Sequence, residues 1–357
     1  MNFLLSEQQL EIQQTVARLL AERYGSLKVH EAFDGDEPFD AALWRDLAEM
    51  GVTGLHLAEE HGGAGLELID LAIVAEALGF GAASVPILGH WLAGLALQLA
   101  GSDEQKARWL PLIASGEIVA SVALAEENGW HPRHWTLEPA TRLSGRKHNV
   151  LGGASAELLL VGLAGGALAL VEAGAEGLSV SPLDSLDRTR RLAQIEFADV
   201  RSELLPGGAE ASTRVYDAAL ALLAADAFGG ATRCLEMAVD YAKVREQYGQ
   251  PIGAFQGLKH QLANMAVEIE PARGLYWYAA HAFDHLPAEA TAACALAKAH
   301  LSERFLQAAR DCVEAHGGIG YTWEYDAQVY LKRALFDYAC FDAPAGHRAR
   351  YADLAYS

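Results

Sequence analysis

The 357-residue chain changes periodicity twice, and this constrains its fold more than any other feature. Up to Ser115-Gly116, apolar residues recur at helical spacing. From Ile118 to about Leu205 they come in short runs: Ile118–Leu124, Leu158–Leu163, Ala167–Val171, Gly177–Val180 and Ala193–Phe197. Glycine and proline separate these runs, which is the signature of strands and turns. After Leu205-Pro-Gly-Gly208, helical spacing returns and continues to the end. Spacing of i, i+3, i+4 buries one face of a helix, and a segment written that way does not settle as a strand. The expected class is α+β, mostly α. An N-terminal helical domain would cover 1–117, a small middle β-barrel or sandwich domain 118–206, and a C-terminal four-helix bundle 207–357.

Local signals place the helices. Ser6 with Gln9 makes a capping box, in which each side chain satisfies the other's free backbone N–H. Leu10, Ile12, Val16, Leu19 and Leu20 come next as an apolar stripe. Asp40 or Phe39 opens a helix that runs to Met50, with Gly51 at its end. Further helices are expected over Ile69–Gly79, Val85–Ala100 and, capped by Asp103, to Ile113. Val215–Val244, Phe255–His285, Ala288–His316 and Ala327–Phe336 have the lengths of an antiparallel bundle.

Charge narrows the range of partners. Lys plus Arg is 27 against 47 Asp plus Glu, a net charge of -20. Without excess cation to neutralise phosphates, nucleic acid is not expected as a partner. Cys234, Cys294, Cys312 and Cys340 form no CxxC pair, so buried free thiols in a reducing cytoplasm are expected. His131, His134 and His148 lack metal-ligand spacing, and no metal is expected. Leu158 to Val171 is broken by Gly162, Gly165 and Gly166 and is too short to span a bilayer. Met1 to Glu7 lacks a basic leader. Cytoplasmic location without a membrane partner is the expectation.

Chemistry concentrates in Arg245-Glu-Gln-Tyr-Gly-Gln-Pro-Ile-Gly-Ala-Phe-Gln256 and in His316-Gly-Gly-Ile-Gly-Tyr321. A guanidinium, an amide and a glycine turn suit a dinucleotide cofactor. With Leu5-Ser-Glu-Gln-Gln9, Leu47-Ala-Glu-Met-Gly-Val52, Glu59-Glu-His-Gly-Gly-Ala-Gly65, Gly101-Ser-Asp-Glu-Gln-Lys106 and Trp109-Leu-Pro-Leu-Ile113, these segments resemble the acyl-CoA dehydrogenase family over nearly the whole chain. The resemblance implies FAD-dependent oxidation of an acyl-CoA thioester to 2-enoyl-CoA. It also implies that the arginine and glycine motifs reach across a dimer interface to the neighbouring subunit's FAD. Arg245 would face the pyrophosphate, Tyr248 would supply an aromatic wall, and Gln256 an amide. Glu314 would accept from a ribose hydroxyl, and Gly317 and Gly318 would allow close backbone approach.

Other family positions depart from the pattern. Counted from Gly320 without gaps, Phe341 stands at the usual place of the catalytic Glu, and a phenyl ring takes no proton. Asp342 is adjacent. It reads as a turn residue before Ala343-Pro344, or as the base if the register shifts by one. The alternative base position falls on Ala219, with Asp217 nearby as a solvated or capping carboxylate. Leu220 replaces an arginine common beside the active site. Ala125 lacks the hydroxyl that would meet the flavin, and Trp130 is bulky where small residues are usual. Asn149 and Leu151 stand where Trp and Thr flank the isoalloxazine.

The losses fall on the base and the flavin ring, while the elements that act in trans are kept. The resemblance therefore implies a catalytically degenerate subunit of an α2β2 acyl-CoA dehydrogenase, paired with a complete homologous subunit. A bulky acyl-CoA, such as a steroid-derived thioester, is the expected substrate. The alternatives are an active homotetramer with Asp342 as base, and a flavin-free scaffold of the same fold.

Overall fold

The structure, a computed structural model, describes residues 4–356. The leader expectation rests partly on residues 1–3, which lie outside the described residues. Six helices come first: α1 (Glu7–Arg23), α2 (Ser26–Asp34), α3 (Ala41–Glu49), α4 (Leu68–Phe80), α5 (Ile87–Ala100) and α6 (Asp103–Ala114). The Ser6–Gln9 capping box forms as expected, and Asp40 caps α3 by accepting from Ala42 and Leu43 N–H. Such a cap contributes about 1 kcal/mol. The cap of α6 is Ser102, bonded reciprocally with Gln105, and not Asp103, which is the first helical residue. Helix α2 has no clear sequence signal.

The strands of the middle part form two sheets. The first runs in the order β1 (Ala120–Ala123), β3 (Leu158–Gly162), β4 (Leu168–Glu172), β7 (Glu203–Leu204), with β1 parallel to β3. The second runs in the order β2 (Arg142–Leu151), β6 (Leu192–Arg201), β5 (Leu178–Leu183) and is antiparallel. Leu143, Val150, Leu159, Val161, Ile195 and Phe197 meet in a small core of their own. Strand β2 has no counterpart among the expected strands. Arg142, Ser144, Arg146 and Asn149 face solvent, so only Leu143, Lys147, Val150 and Leu151 carry its buried positions. A lysine among them hides the alternation that would mark a strand.

The last part holds α7 (Gly208–Val244), a short hairpin of β8 (Glu246–Gln247) and β9 (Gln250–Pro251), then α8 (Gln256–Ile269), α9 (Arg273–His285), α10 (Pro287–His316), α11 (Ala327–Ala339) and α12 (Pro344–Tyr356). Phe255–His285 is thus two helices, divided by a short 3-10 turn containing Pro271. Proline lacks the N–H that would continue the ladder. Helix α7 is long and apolar enough to cross a membrane, but 83% of its most apolar window is buried against neighbouring helices. It is the central core helix.

Two glycines fix how α7 crosses α4. A Cβ on Gly79 would lie 2.1 Å from the Asp226 carbonyl oxygen, and one on Gly229 would lie 1.9 Å from the Glu76 carbonyl oxygen. Each helix gives up a side chain where the other's backbone passes. Beside this crossing, Arg333 grips Asp226 through Nε (3.1 Å) and a second nitrogen (2.6 Å). Arg190 bridges Asp226 and Asp337 at 2.6 Å each. This buried cluster ties the loop between β5 and β6 to α7 and α11.

Candidate active site and cofactor surface

The segment in which the family base is expected comes directly after α11. Phe341 and Asp342 both have positive φ (54° and 73°), an uncommon pair for residues with side chains. Two buried side chains hold this turn. His347 donates through Nε2 to the Phe341 carbonyl at 2.8 Å. Lys298 donates to the carbonyls of Asp337 (2.7 Å) and Asp342 (3.4 Å). Burial pushes the His347 imidazole down to about 4, helped by the nearby Lys298 charge. Burial likewise brings Lys298 down to about 8, against the pull of Cys340, Asp337 and Asp342.

Phe341 is fully buried and points into the chain. Trp130 stacks on it, with ring centroids 4.6 Å apart and planes at 24°. The Tyr216 ring of α7 lies tilted beside it at 5.8 Å. Asp342 is half-buried, and its Oδ2 accepts from the Tyr216 hydroxyl at 2.7 Å. Its Oδ1 faces Gly129, where an added Cβ would lie 3.1 Å away. Both carboxylate oxygens are therefore turned toward protein. Burial, then the Asp342 carboxylate, raises the Tyr216 hydroxyl well above its ordinary value, so it stays a donor.

Asp217 is neither solvated nor a cap. It is buried, accepts from Thr291 at 2.6 Å and pairs with Arg350 of α12 at 2.9 Å. Ala219 and Leu220 are fully buried core residues. On the β side, Ala125 is buried, and the neighbouring Glu126 carboxylate pairs with the buried Lys147 at 2.5 Å. Burial brings Lys147 down to about 8, with Glu126 opposing. Asn149 sits exposed at a bulge of β2 with φ 51°, and Leu151 is buried. His131 packs edge-on against Tyr216 at 4.8 Å. Burial, with Arg350 next in weight, lowers its imidazole to about 4.

The second group of sequence-selected residues lies on the surface. Arg245 ends α7 in extended conformation and is exposed, with no side-chain partner among the described residues. Tyr248 and Gly249 form the tight turn of the β8–β9 hairpin, with φ of 53° and 75°. That conformation suits a two-residue hairpin turn. Tyr248 is 94% exposed and touches Phe255 edge-on at 6.1 Å. Gln256 is the exposed first residue of α8. Glu314 lies exposed on the last turn of α10, within 3.4 Å of Gln261 Nε2 on α8. Gly317 ends α10 with φ 61°, and a Cβ on Gly317 or Gly318 would meet nothing within 4 Å. The structure thus sorts these residues into a closed interior cluster around Asp342 and an open face carrying Arg245, Tyr248, Gln256, Glu314 and the glycine turn.

Sequence reasoning missed Tyr216, Lys298, His347 and Arg350. Only Lys298, a lone charge in the alanine-rich apolar run of α10, carried a local signal.

Known proteins match this chain in sequence and fold. Residues 6–117 match the model of the acyl-CoA dehydrogenase N-terminal domain, and residues 208–341 that of the acyl-CoA dehydrogenase C-terminal domain. The chain is 35% identical over 329 residues to acyl-CoA dehydrogenase IpdE2 of Mycobacterium tuberculosis, covering 92% of this chain and 91% of that protein. A solved structure of the Tcur3481-Tcur3483 steroid ACAD G363A variant superposes with a TM-score of 0.91 at 30% identity, over 98% of both chains. The ChsE4-ChsE5 complex from Mycobacterium tuberculosis superposes with a TM-score of 0.90 at 26% identity, over 100% of both chains. The chain belongs to the acyl-CoA dehydrogenase family.

Proposed function

We propose that this chain is a subunit of an FAD-dependent acyl-CoA dehydrogenase that lends cofactor contacts to a complete homologous partner and carries no working base itself. One observation carries the reading. Counted from Gly320, the position of the base falls on Phe341, which is buried under Trp130, while the Arg245 side chain has no partner among the described residues and open space surrounds the Gly317 and Gly318 Cα atoms. The open residues fit the anionic end of the cofactor. Arg245 offers an unpaired guanidinium for pyrophosphate oxygens, and the glycine turn lets a bulky group reach the backbone. The interior does not fit the ring end, because Ala125 has no hydroxyl and Trp130 lies packed on Phe341.

When bound, FAD supplies the hydride acceptor for α,β-dehydrogenation of a thioester. This chain's residues hold and orient that cofactor. In its own interior, Asp342 keeps its carboxylate against Tyr216 and Gly129. The partner is a homologous subunit in an α2β2 assembly, and the substrate is a bulky acyl-CoA, such as a steroid-derived thioester. Similarity to chains described as a steroid ACAD and as a two-component complex supports both points.

Co-expression with the homologous subunit, then a flavin count per chain, tests this. Half as many FAD as chains is expected, together with a colourless protein when this chain is made alone. A lone chain that binds one FAD each, is reduced by acyl-CoA and is disabled by Asp342→Ala would establish the second reading, an active homotetramer. The Tyr216 hydrogen bond, which orients the Asp342 carboxylate, is the observation that favours that alternative. Activity of the complex on short straight-chain acyl-CoA but none on steroid-derived thioesters would sink the substrate assignment.

A further inference from the structure

The glycine turn that would face the partner's FAD does not hold its shape alone. Gly317 has φ 61°, and nothing packs where side chains would stand on Gly317 or Gly318. The turn is tied instead to Thr322 and Gln328. Thr322 N–H donates to the Ile319 carbonyl at 3.1 Å, and Gln328 Nε2 donates to the Gly320 carbonyl at 2.7 Å. Helix α2 clamps the stretch between Thr322 and Gln328. Asp326 Oδ1 accepts from Ser26 Oγ at 2.5 Å and lies 2.9 Å from His30 Nε2. The Trp323 indole N–H donates to Asp34 Oδ2 at 3.1 Å. The Trp323 ring packs on Phe33 (4.9 Å) and edge-on to His30 (5.5 Å), and Lys332 Nζ lies 4.6 Å over it. Ser26, His30, Phe33 and Asp34 fall at i, i+4, i+7 and i+8, so one stripe of one helix makes the α2 side of the clamp.

We propose that α2 is a latch for the glycine turn, and that Ser26, His30 and Asp326 are positioning residues for FAD held in trans. This rests on the reading given above, that the turn serves a partner's cofactor. A loop fixed before binding gives up less conformational freedom when the ligand arrives. The N-terminal helices thereby act on a cofactor surface that belongs to the opposite end of the sequence.

The test uses the complex with the homologous subunit. FAD affinity is read by quenching of flavin fluorescence, and melting temperature is read with and without FAD. Asp326→Leu removes the acceptor and should weaken FAD binding about tenfold, the scale of losing hydrogen bonds to a charged group. Asp326→Asn keeps an acceptor and should restore near wild-type affinity. The double variant Ser26→Ala/His30→Leu changes only the α2 side and should match Asp326→Leu, which guards against a folding defect in that variant. If both clamp variants bind FAD like wild type while Arg245→Ala weakens it, the latch is wrong and the reading in trans stands. If Arg245→Ala also binds FAD normally, both fail.

Discussion

Trp130 lies nearly flat on Phe341, ring centroids 4.6 Å apart, and so joins the loop after β1 to the turn after α11. This contact fills the volume beside Asp342 with apolar rings. Trp130→Ala should destabilise the chain by about 3–5 kcal/mol, the usual range for truncating a buried tryptophan. Urea unfolding checks the magnitude. The same variant should not gain acyl-CoA-dependent flavin reduction, since removing a plug supplies no base.

Arg245 is exposed and unpaired among the described residues, so its removal should leave folding untouched. Arg245→Ala should lower FAD affinity of the heteromeric complex by about 10-fold or more, as expected for a charge-assisted bond to phosphate. Thermal melting of the lone chain should be unchanged. Arg245→Lys should recover only part of the loss, because an ammonium cannot make the paired contact of a guanidinium.

Asp342 accepts from Tyr216 and is turned toward Gly129. Asp342→Ala should cost about 1–2 kcal/mol of stability, since Tyr216 keeps only a long bond to the Phe341 carbonyl. The turnover rate of the complex should change less than about twofold. General acid–base groups contribute about 100-fold or more, so a loss on that scale would identify Asp342 as the base instead.

His347 gives a pH signature. Its folded value is about 4 against an ordinary 6.5, because burial and Lys298 disfavour the charged ring. The unfolded chain therefore binds the proton more readily between those values. Its contribution is complete above pH 6.5 and is lost as pH falls through 4. The loss is on the order of 3 kcal/mol for this group. His347→Gln should show a shallower decline of stability over that window than wild type, measured by denaturant titration at each pH.

Asp226 sits between Arg190 and Arg333, all three largely out of solvent. Asp226→Ala would leave two guanidiniums facing each other without their shared anion. The expected cost is about 3–5 kcal/mol, the scale for breaking a buried ion pair from one side. Failure of the variant to accumulate at the growth temperature, with recovery on cooling, would be consistent with this. A melting temperature equal to wild type would rule it out.

The three-part architecture was legible because periodicity survives in the sequence wherever one face is buried. The elements that escaped lack that contrast. Strand β2 buries Lys147 among its apolar positions and breaks its alternation at Asn149. Helix α2 is held in place by Trp323 and Asp326, some 300 positions later, and nothing local announces that pairing. The site divides the same way. Arg245 and the glycine turn are contiguous motifs and could be read. The Trp130–Phe341 stack, and the Arg350 partner that makes Asp217 a buried ion-pair residue, exist only after the chain has folded.

The reciprocal glycine crossing of α4 and α7 has a consequence for biosynthesis. Every α4 residue from Leu68 to Gly79 is buried, so this helix has no face suited to water. Its main cover is α7, which emerges only after the whole β layer between them has been made. Until then α4, shielded only in part by α1, presents a largely apolar surface with a groove cut to fit a missing partner, a vulnerable stage for a nascent chain. Holding chaperones should engage nascent chains that end before Gly208 and release them once α7 has docked.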